Sequence, residues 1–346
     1  MGATVIVTTR FPHDAADRYA KEVDASFFSE RLHIYGIDFR DVAMVHGFCS
    51  QIKLSFSRLD VIINNAAQTV RKPPKFYEHL LEAESRPVNI GSGKAAHVVD
   101  VYKQNGGNYL FLENSSDADV KDSENSVGFS ASNSIRSFAN VNTSAALSQV
   151  HFMQVDGEEN NDALFPQGRL DRDDQQVDLR SENSWLLELG QVSTVEMLEC
   201  HVINVFTPWI LISELKSIMQ ATNVRPDGAD KRCDKYIVNV SAMEGQFYRP
   251  KTIYHPHSNM AKAGLNMMTR TAAAGFAEIS IFMTAVDTGW ITDENPVDQW
   301  HKRENAPPPL DEFDAAMRVL DPVIEGMEGK EPVWGVFLKN YHATRW

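Results

Sequence analysis

The chain has 346 residues, 43% of them hydrophobic, and a formal net charge of -14 at pH 7. This length and apolar content suffice for one large domain or two ordinary ones with a buried core. Nucleic acid and anionic membranes repel so acidic a chain, so neither is expected as a partner. The three cysteines, Cys49, Cys200 and Cys233, form no CxxC pair. We therefore predict no disulfide framework, no metal site and a reducing, cytoplasmic location.

No segment is typical of export or of membrane insertion. The start, "MGATVIVTTRFPHD", has one short apolar run and lacks the charged, apolar and small-residue order of a signal peptide. The longest apolar stretch, "VINVFTPWILI", is too short to span a bilayer. We expect a soluble protein that makes no membrane contact.

The first 67 residues alternate between strand and helix patterns. "TVIVTT" predicts a buried strand, "HDAADRYAKEV" a helix and "RLHIYGID" a second strand. "DVAMVHGFCSQIKLSF" has an apolar helical stripe, and "LDVIINNA" predicts a third strand that ends in Asn64 and Asn65. This β-α-β-α-β order predicts a parallel sheet with helices on both faces, whose ligands bind at the carboxyl ends of the strands.

The pattern changes after Gln68. Residues 82–150 are rich in Ser, Asn, Asp and Gly, and the acidic, turn-rich "VDGEENNDALFPQGRLDRDDQQVD" follows. Such a composition buries too little apolar surface to offset its ordering entropy. We therefore predict that residues 68–193 are an insertion, largely loop or disordered.

Regular patterns resume near Val195. They predict a long helix ("VEMLECHVINVFTPWILISELKSIM"), a strand ("KYIVNVSA"), a helix from "HPHSNMAK", a strand ("SIFMTAVDTG"), a helix ("LDEFDAAMRVLDPVIEG") and a strand ("PVWGVFL"). We predict one Rossmann-like, doubly wound α/β domain with three αβα layers, made of residues 1–67 and 194–346. Residues 3–67 and 194–338 should share a single parallel-type sheet.

Four stretches resemble the short-chain dehydrogenase/reductase family. "LDVIINNAA" resembles its Asn-Asn-Ala-Gly strand end and "YIVNVSAMEG" its serine-bearing strand. "SNMAKAGLNMMTR" resembles its Tyr-x-x-x-Lys helix, and "AVDTGWITDE" resembles the segment that lies against the nicotinamide. All four occur in the family's order on the expected elements. The resemblance implies a Rossmann fold and hydride transfer between a nicotinamide cofactor and a small carbonyl or alcohol.

Only some of the family's catalytic residues have a counterpart in this sequence. Asn204 matches the asparagine that holds the proton-relay water, although a simple backbone contact fits it too, and Lys262 matches the lysine that binds the nicotinamide ribose. Ser258 stands in place of the catalytic tyrosine and Ala242 in place of the serine. A serine hydroxyl is too weak an acid for the tyrosine's task, but it can hydrogen-bond a carbonyl. Ser258 and Lys262 share a helix face, which should turn toward Asn204 and toward Ser241, the substitute hydroxyl.

Stronger acids lie beside Ser258. His255 and His257 have an ordinary pKa of roughly 6.5, and Tyr254 precedes Pro256 at the helix start. We predict that one of them replaces the tyrosine, and we place His257 among the catalytic residues. A solvated or capping role at the start of the helix fits each of them as well.

The resemblance favours NADP over NAD. Arg10 follows the first strand, where the family places a basic residue on the 2′-phosphate, whereas NAD-binding members usually have an acid there. Asp38 lies where the family contacts adenine. The adenine ribose is assigned to Asn64, Asn65 and Ala66, and the nicotinamide end to Lys262, Asp287, Thr288, Gly289 and Thr292.

The family's first strand and glycine-rich turn have no counterpart. That turn binds the pyrophosphate with its backbone amides, but this chain starts at the family's second strand and contains no G-x-x-x-G-x-G. A sheet that lacks its central strand leaves backbone groups unpaired. Either "NYLFLE" (Asn108–Glu113) fills the gap, or "TVIVT" and "LDVII" close against each other.

Two functions remain open. The first is an NADP-dependent oxidoreductase for a small-molecule carbonyl or alcohol. The second is a non-catalytic relative, a pseudoenzyme, with a binding or scaffold role. In the family, the helices that carry Asn204 and Lys262 commonly form the oligomer interface, so a homo-oligomer is expected.

Overall fold

The computed structural model describes residues 2–85, 97–101, 143–150, 161–171, 175–221, 233–296 and 308–346. They form two compact units, a first unit of Met1–Asp38 and Tyr77–Glu159 and a second unit of Phe39–Phe76 and Asn160–Trp346. Strands and helices alternate along the chain, and the sheets are parallel apart from one pair of strands. The predicted Rossmann-like α/β fold class is confirmed.

The described elements follow the predicted order closely. The helices are α1 (Pro12–Lys21), α2 (Ala25–Phe28), α3 (Val42–Ser55), α4 (Glu78–Ser85), α5 (Ser144–Leu147), α6 (Thr194–His201), α7 (Thr207–Gln220), α8 (Pro256–Ala277) and α9 (Glu312–Met327). The strands are β1 (Val5–Thr9), β2 (Leu32–Gly36), β3 (Val61–Asn64), β4 (His97–Asp100), β5 (Lys235–Ser241), β6 (Ile281–Asp287), β7 (Phe337–Lys339) and β8 (His342–Thr344).

The first unit is built on a parallel sheet with the order β1-β2-β4. β2 is its central strand, and the side chains of Ile34 and Tyr35 are buried. α1 follows β1 and has Pro12 at its first position, where the missing N–H is not needed for a helical hydrogen bond. α1 also packs against α4.

The second unit is built on a sheet with the order β3-β5-β6-β7-β8, parallel except for the β7–β8 pair. Every residue of β5 is buried. Tyr236, Val238 and Val240 pack with Val319 and Val323 of α9 in an apolar core. Successive side chains of a strand point to opposite faces, so Asn239, which bonds Thr269 of α8, places α8 on the other face of the sheet.

The predicted single sheet is wrong. "LDVII" and "YIVNV" do pair in one sheet, as predicted, but β1 and β2 belong to another. The central strand expected between β1 and β3 does not occur in the described ranges, and β1 and β3 do not close against each other. Instead β4 adds to β2. The segment Asn108–Glu113 lies outside the described residues.

The predicted insertion contributes regular structure. Within residues 68–193 lie α4, α5 and β4, and β4 pairs with β2 over four residues. The two units divide the chain at Asp38 and Phe76, so the predicted continuous segment 1–67 is shared between them. The limits of a single dehydrogenase-like domain stay a prediction.

The longest apolar helix runs from Thr194 to Gln220 and includes a π turn, Val202–Phe206, between α6 and α7. The apolar run taken alone is too short to cross a bilayer, whereas this whole helix is long and apolar enough by length and composition. In its apolar window 44% of the residues are buried within the protein. Core helices of soluble proteins can be equally long and apolar, so one such helix is weak evidence for a membrane span.

Candidate active site

Lys262 reaches from α8 to the carboxyl end of β5. It is 6% exposed, and its Nζ donates to the backbone carbonyl of Val240 at 3.0 Å. Burial lowers the pKa of Lys262, while the charges of Cys200, Glu244 and Asp287 oppose that shift. Among the described residues the ammonium makes no other hydrogen bond, so two of its three donors are available to a ligand.

Lys262 belongs to a polar stripe along α8, made of Ser258, Lys262 and Asn266. Residues four apart share one helix face, and all three are buried. Asn266 was not among the predicted site residues. Both its amide atoms are buried and have no hydrogen-bond partner in the described part of the chain. Its spacing of four from Lys262 was the signal that could have found it.

Gly245 brings the turn after β5 against this stripe. The 3₁₀ turn Met243–Gly245 follows β5 directly. A Cβ atom at Gly245 would lie 2.6 Å from the carbonyl carbon and oxygen of Lys262 and from Nδ2 of Asn266. Only glycine therefore allows this close approach of the backbones.

Ser241 and Asp287 face each other at the ends of β5 and β6. Ser241 is 2% exposed, and its Oγ has no hydrogen-bond partner among the residues described. The Asp287 carboxylate is occupied, because it accepts from the Gly289 N–H at 2.7 Å and from the Lys339 Nζ at 2.7 Å. The serine hydroxyl is available to a ligand, whereas the aspartate shapes its own turn.

The turn after β6 contains the other residues assigned to the nicotinamide end. Gly289 has a φ of 85°, and a Cβ there would lie 2.5 Å from Cδ1 of Leu310. Thr288 Oγ1 donates to the Gly289 carbonyl at 3.3 Å, and Thr292 Oγ1 donates to Glu294 at 3.3 Å. These contacts fix the turn without involving Lys262.

Asn204 lies in the π turn and is 1% exposed. Its Oδ1 accepts from the Gln68 N–H at 2.8 Å, and its Nδ2 donates to the Gln68 carbonyl at 2.9 Å. Nδ2 also lies 3.4 Å from Sγ of Cys200. Asn204 thus ties the segment after β3 to the long helix, as a backbone-bonded asparagine does.

The two histidines at the start of α8 have different surroundings. His255 has a φ of 43°, stacks on Trp185 with ring centroids 4.0 Å apart, and bonds the Trp185 carbonyl through Nδ1 at 2.9 Å. His257 is 2% exposed, and its Nε2 lies 3.2 Å from the Thr69 carbonyl, which can only accept. Nε2 therefore carries the proton in the neutral ring, and the buried Nδ1 is left as an acceptor with no partner among the described residues.

Burial lowers the pKa of His257, and the charges of Glu196, His255 and His201 also act on it. None of these three is among the charges that act on Lys262. The exposed Tyr254 precedes His257 and Lys262 on the chain.

The asparagines after β3 divide between core and surface. Asn64 donates to Asn239 Oδ1 at 2.7 Å, and Asn239 donates to Thr269 Oγ1 at 2.9 Å, so Asn64 belongs to a buried polar chain between β3, β5 and α8. The Asn64 amide is thus occupied by Asn239, whereas Asn65 and Ala66 are exposed to solvent.

In the first unit, Arg10 lies against aromatic rings. Its guanidinium is 4.7 Å from the ring centre of Tyr77 and 5.4 Å from that of Phe11, and it donates to the Tyr77 hydroxyl at 3.3 Å. Asp38 is 2% exposed.

The N-terminus of α1, which follows Arg10, holds a carboxylate of the protein itself. Oε1 of Glu84 accepts from the N–H groups of His13 at 2.8 Å and Asp14 at 3.0 Å. Free N–H groups at a helix start favour anions. Here Glu84 uses two of them.

Comparisons with known proteins were made by sequence and by structure. No family model matches the chain. An uncharacterised protein of Acanthamoeba polyphaga mimivirus is 27% identical over 354 residues, which cover 99% of this chain, and the chain spans 62% of that protein's length.

Among solved structures, the carbonyl reductase Sniffer of D. melanogaster superposes with a TM-score of 0.50 at 12% identity, over 99% of this chain and 87% of that one. The chain has a short-chain dehydrogenase/reductase-like fold. An NADPH-bound carbonyl reductase from chicken fatty liver gives a TM-score of 0.32 at 18% identity, over 49% of this chain and 62% of that one. At 12% identity the likeness to the Sniffer structure concerns the fold alone.

Proposed function

We propose that the chain is a short-chain dehydrogenase/reductase-type oxidoreductase that uses NADP(H) to reduce a carbonyl, or to oxidise an alcohol, on a small molecule. The observation that carries the proposal is Lys262, a buried lysine whose only hydrogen bond in the described residues goes to the Val240 carbonyl. A buried ammonium is costly unless it is paired, and strongly perturbed groups concentrate at functional sites. The unpartnered hydroxyl of Ser241 follows Val240 directly in β5.

The proposed roles follow from what each group can donate. NADPH, when bound, supplies the hydride. Lys262 would hold the nicotinamide ribose through its two unused donors, and the hydroxyls of Ser241 and Ser258 would hydrogen-bond the substrate oxygen. Asn204 would act as a positioning residue through Gln68, because its amide is already occupied.

His257 is the proposed proton-transfer group. Its pKa is lowered by burial, so its ring is neutral near pH 7 and presents Nδ1 as an acceptor. A neutral imidazole can take a proton from an alcohol, whereas it can give one to a carbonyl only after it has been protonated. The proposal therefore favours alcohol oxidation at neutral and higher pH and carbonyl reduction at lower pH.

The residues present fit the two ends of NADP differently. Lys262, Ser241 and the exposed Asn65 and Ala66 offer donors and accessible backbone for the nicotinamide and ribose portions. The pyrophosphate has no glycine-rich turn in the sequence, and two N–H groups at the start of α1 bind Glu84. We assign no residue to the pyrophosphate, and expect weak cofactor affinity.

A specific observation also supports the second candidate, a non-catalytic relative with a binding or scaffold role. The Asn204 amide is closed on the Gln68 backbone, and a serine stands where the family has its tyrosine. In that case the chain would keep the fold of the family but lack its proton relay.

Calorimetric titration with NADPH and NADH separates the two candidates. Tighter binding of NADPH, weakened at least roughly tenfold by Lys262→Met and unchanged by the surface variant Lys330→Met, supports the oxidoreductase. Absence of binding of either nucleotide up to millimolar concentrations contradicts cofactor use and favours the non-catalytic candidate. Equal loss of binding in both variants contradicts the role of Lys262.

A further inference from the structure

An open cavity lies on the second unit, between the turn after β5, α8 and the segment after β8. It has a volume of about 490 Å³, and is lined by Phe247, Tyr248, Arg270, Arg345 and Trp346. This volume lies in the range of small-molecule sites, but the pocket is wide open to solvent and Phe247 at its rim is 80% exposed. None of these five residues belongs to the site built around Lys262.

Contacts outside the cavity hold some of its lining residues in place. Gln246 Nε2 donates to the Arg345 carbonyl at 2.7 Å, and the Tyr248 hydroxyl lies 3.2 Å from Thr344 Oγ1. The ring of Trp346 packs edge-on against the buried Phe337 with centroids 6.1 Å apart. Tyr248 and Trp346 are therefore positioned before any ligand arrives.

The two guanidinium groups of the cavity are available. Within the described ranges, the side chains of Arg270 and Arg345 make no hydrogen bond, ion pair or ring contact with the protein. Both are exposed, in a chain where carboxylates outnumber cationic side chains by 47 to 33. Arginine presents a planar fork of donors that matches a carboxylate.

We propose that this cavity binds a small aromatic carboxylate, with the ring between the aromatic side chains and the carboxylate on Arg270 and Arg345. Flat rings stack favourably on Phe, Tyr and Trp, and two unpaired guanidiniums supply the charge that the apolar walls lack. The site does not depend on the proposed oxidoreductase function. Arg270 lies eight residues beyond Lys262 on α8, roughly 12 Å along the helix axis.

Three probes separate the contributions of ring and charge in calorimetric or NMR titrations of the full chain. 2-Naphthoate carries both features, naphthalene-2-carboxamide carries the ring alone, and acetate carries the charge alone. The expected order is naphthoate at least roughly tenfold tighter than the carboxamide, with acetate weakest, since a charge-assisted hydrogen bond accounts for about a factor of ten.

Single variants locate the site. Arg270→Gln and Arg345→Gln should each weaken naphthoate about tenfold and leave the carboxamide unchanged. Arg18→Gln, at an exposed arginine of the first unit, is the matched control and should change neither. Equal affinity of naphthoate and carboxamide, unchanged naphthoate binding in both cavity variants, or no naphthoate binding up to millimolar concentrations would each overturn the proposal.

Discussion

Asn204 and the backbone of Gln68 form a closed pair of hydrogen bonds, with the side-chain amide accepting at 2.8 Å and donating at 2.9 Å. Two neighbouring strands also bond through an N–H group and a carbonyl, but here one of the two partners is a side-chain amide. It joins the segment after β3 to the π turn of the long helix. The Gln68 N–H therefore depends on this one side chain, whereas the Gln68 carbonyl also accepts from the Cys200 thiol at 3.3 Å.

Replacing Asn204 by Ala should lower the free energy of unfolding by about 1–3 kcal/mol, because the Gln68 N–H loses its partner and the Gln68 carbonyl keeps only the Cys200 thiol. Urea denaturation measures the change. Asn65→Ala, at the exposed asparagine after β3, is the control and should shift stability by less than about 0.5 kcal/mol. If Asn204→Ala keeps full stability but loses turnover, the tying role is wrong and a direct catalytic role replaces it.

Lys262 should make stability increase with pH in the alkaline range. Burial lowers its pKa below the ordinary value of 10.5, so between the two values the unfolded chain binds more protons than the folded chain. The free energy of unfolding should therefore rise as the pH increases from the lowered value to 10.5. Urea denaturation at several alkaline pH values should give a smaller rise for Lys262→Met. Identical pH profiles for the two proteins would show that Lys262 does not titrate differently on folding.

Gly245 and Gly275 offer a matched pair of glycine substitutions. Gly245→Ala places a methyl group 2.6 Å from the backbone of Lys262, and should cost about 2–3 kcal/mol of stability or more. Gly275→Ala, within α8 where no atom lies within 4 Å, should stabilise the protein by about 0.5–1 kcal/mol. Thermal unfolding measures both. A neutral Gly245→Ala variant would contradict the close approach of the turn to α8.

Glu84 should make the first unit less stable as the pH rises. Burial, reinforced by the charges of Asp100 and Asp14, raises the pKa of Glu84 to about 7, although the N–H groups of His13 and Asp14 oppose the shift. The protonated Glu84 carboxyl makes its full contribution to the free energy of unfolding below pH 4.5. That contribution is lost as the pH rises through about 7. Glu84→Gln should remove that loss, which is at most about 3 kcal/mol. The measurement is hydrogen exchange of α1 between pH 5 and 8, and Glu82→Gln, exposed on the same helix, should retain the wild-type profile.

Exposed apolar side chains on the long helix and α8 predict self-association. Phe206, Trp209, Met260 and Met267 are between 49% and 61% exposed. Light scattering coupled to gel filtration should show an oligomer that Trp209→Glu combined with Met267→Glu converts to a monomer, since buried charges without partners are costly. Phe313→Glu, at an exposed residue of α9, should leave the oligomer intact. A monomeric wild-type protein would contradict this prediction.

Local sequence patterns predicted the helices and strands, but they did not predict which distant strands pair with each other. The run "KYIVNVSA" predicted a strand, and β5 (Lys235–Ser241) lies within it. The run "HVVD" has only four residues and pairs in parallel with a strand more than 60 residues earlier, so composition gave it no signal. The separation into two sheets depends on such pairing and was predicted wrongly.

The site shows the same division between local and tertiary information. The four-residue spacing of Ser258 and Lys262 predicts a shared helix face, and the sequence alone suffices for it. The closure of Asn204 on Gln68 joins residues 136 positions apart, and the capping of α1 by Glu84 joins residues about 70 apart. Neither contact has a local pattern, because each depends on how distant segments pack.

The π turn Val202–Phe206 gives the long helix two rotational registers instead of one. A π turn contains one residue more than an α-helical turn, so the side chains after it are rotated by about 100° relative to an uninterrupted helix. Removing the extra residue there would let the helix run on as a regular α-helix, and the buried Leu211 and Leu215 would keep their orientation toward the core. The helix can therefore lose one residue within this turn more readily than one residue on either side of it, where a deletion would rotate the following side chains by about 100°.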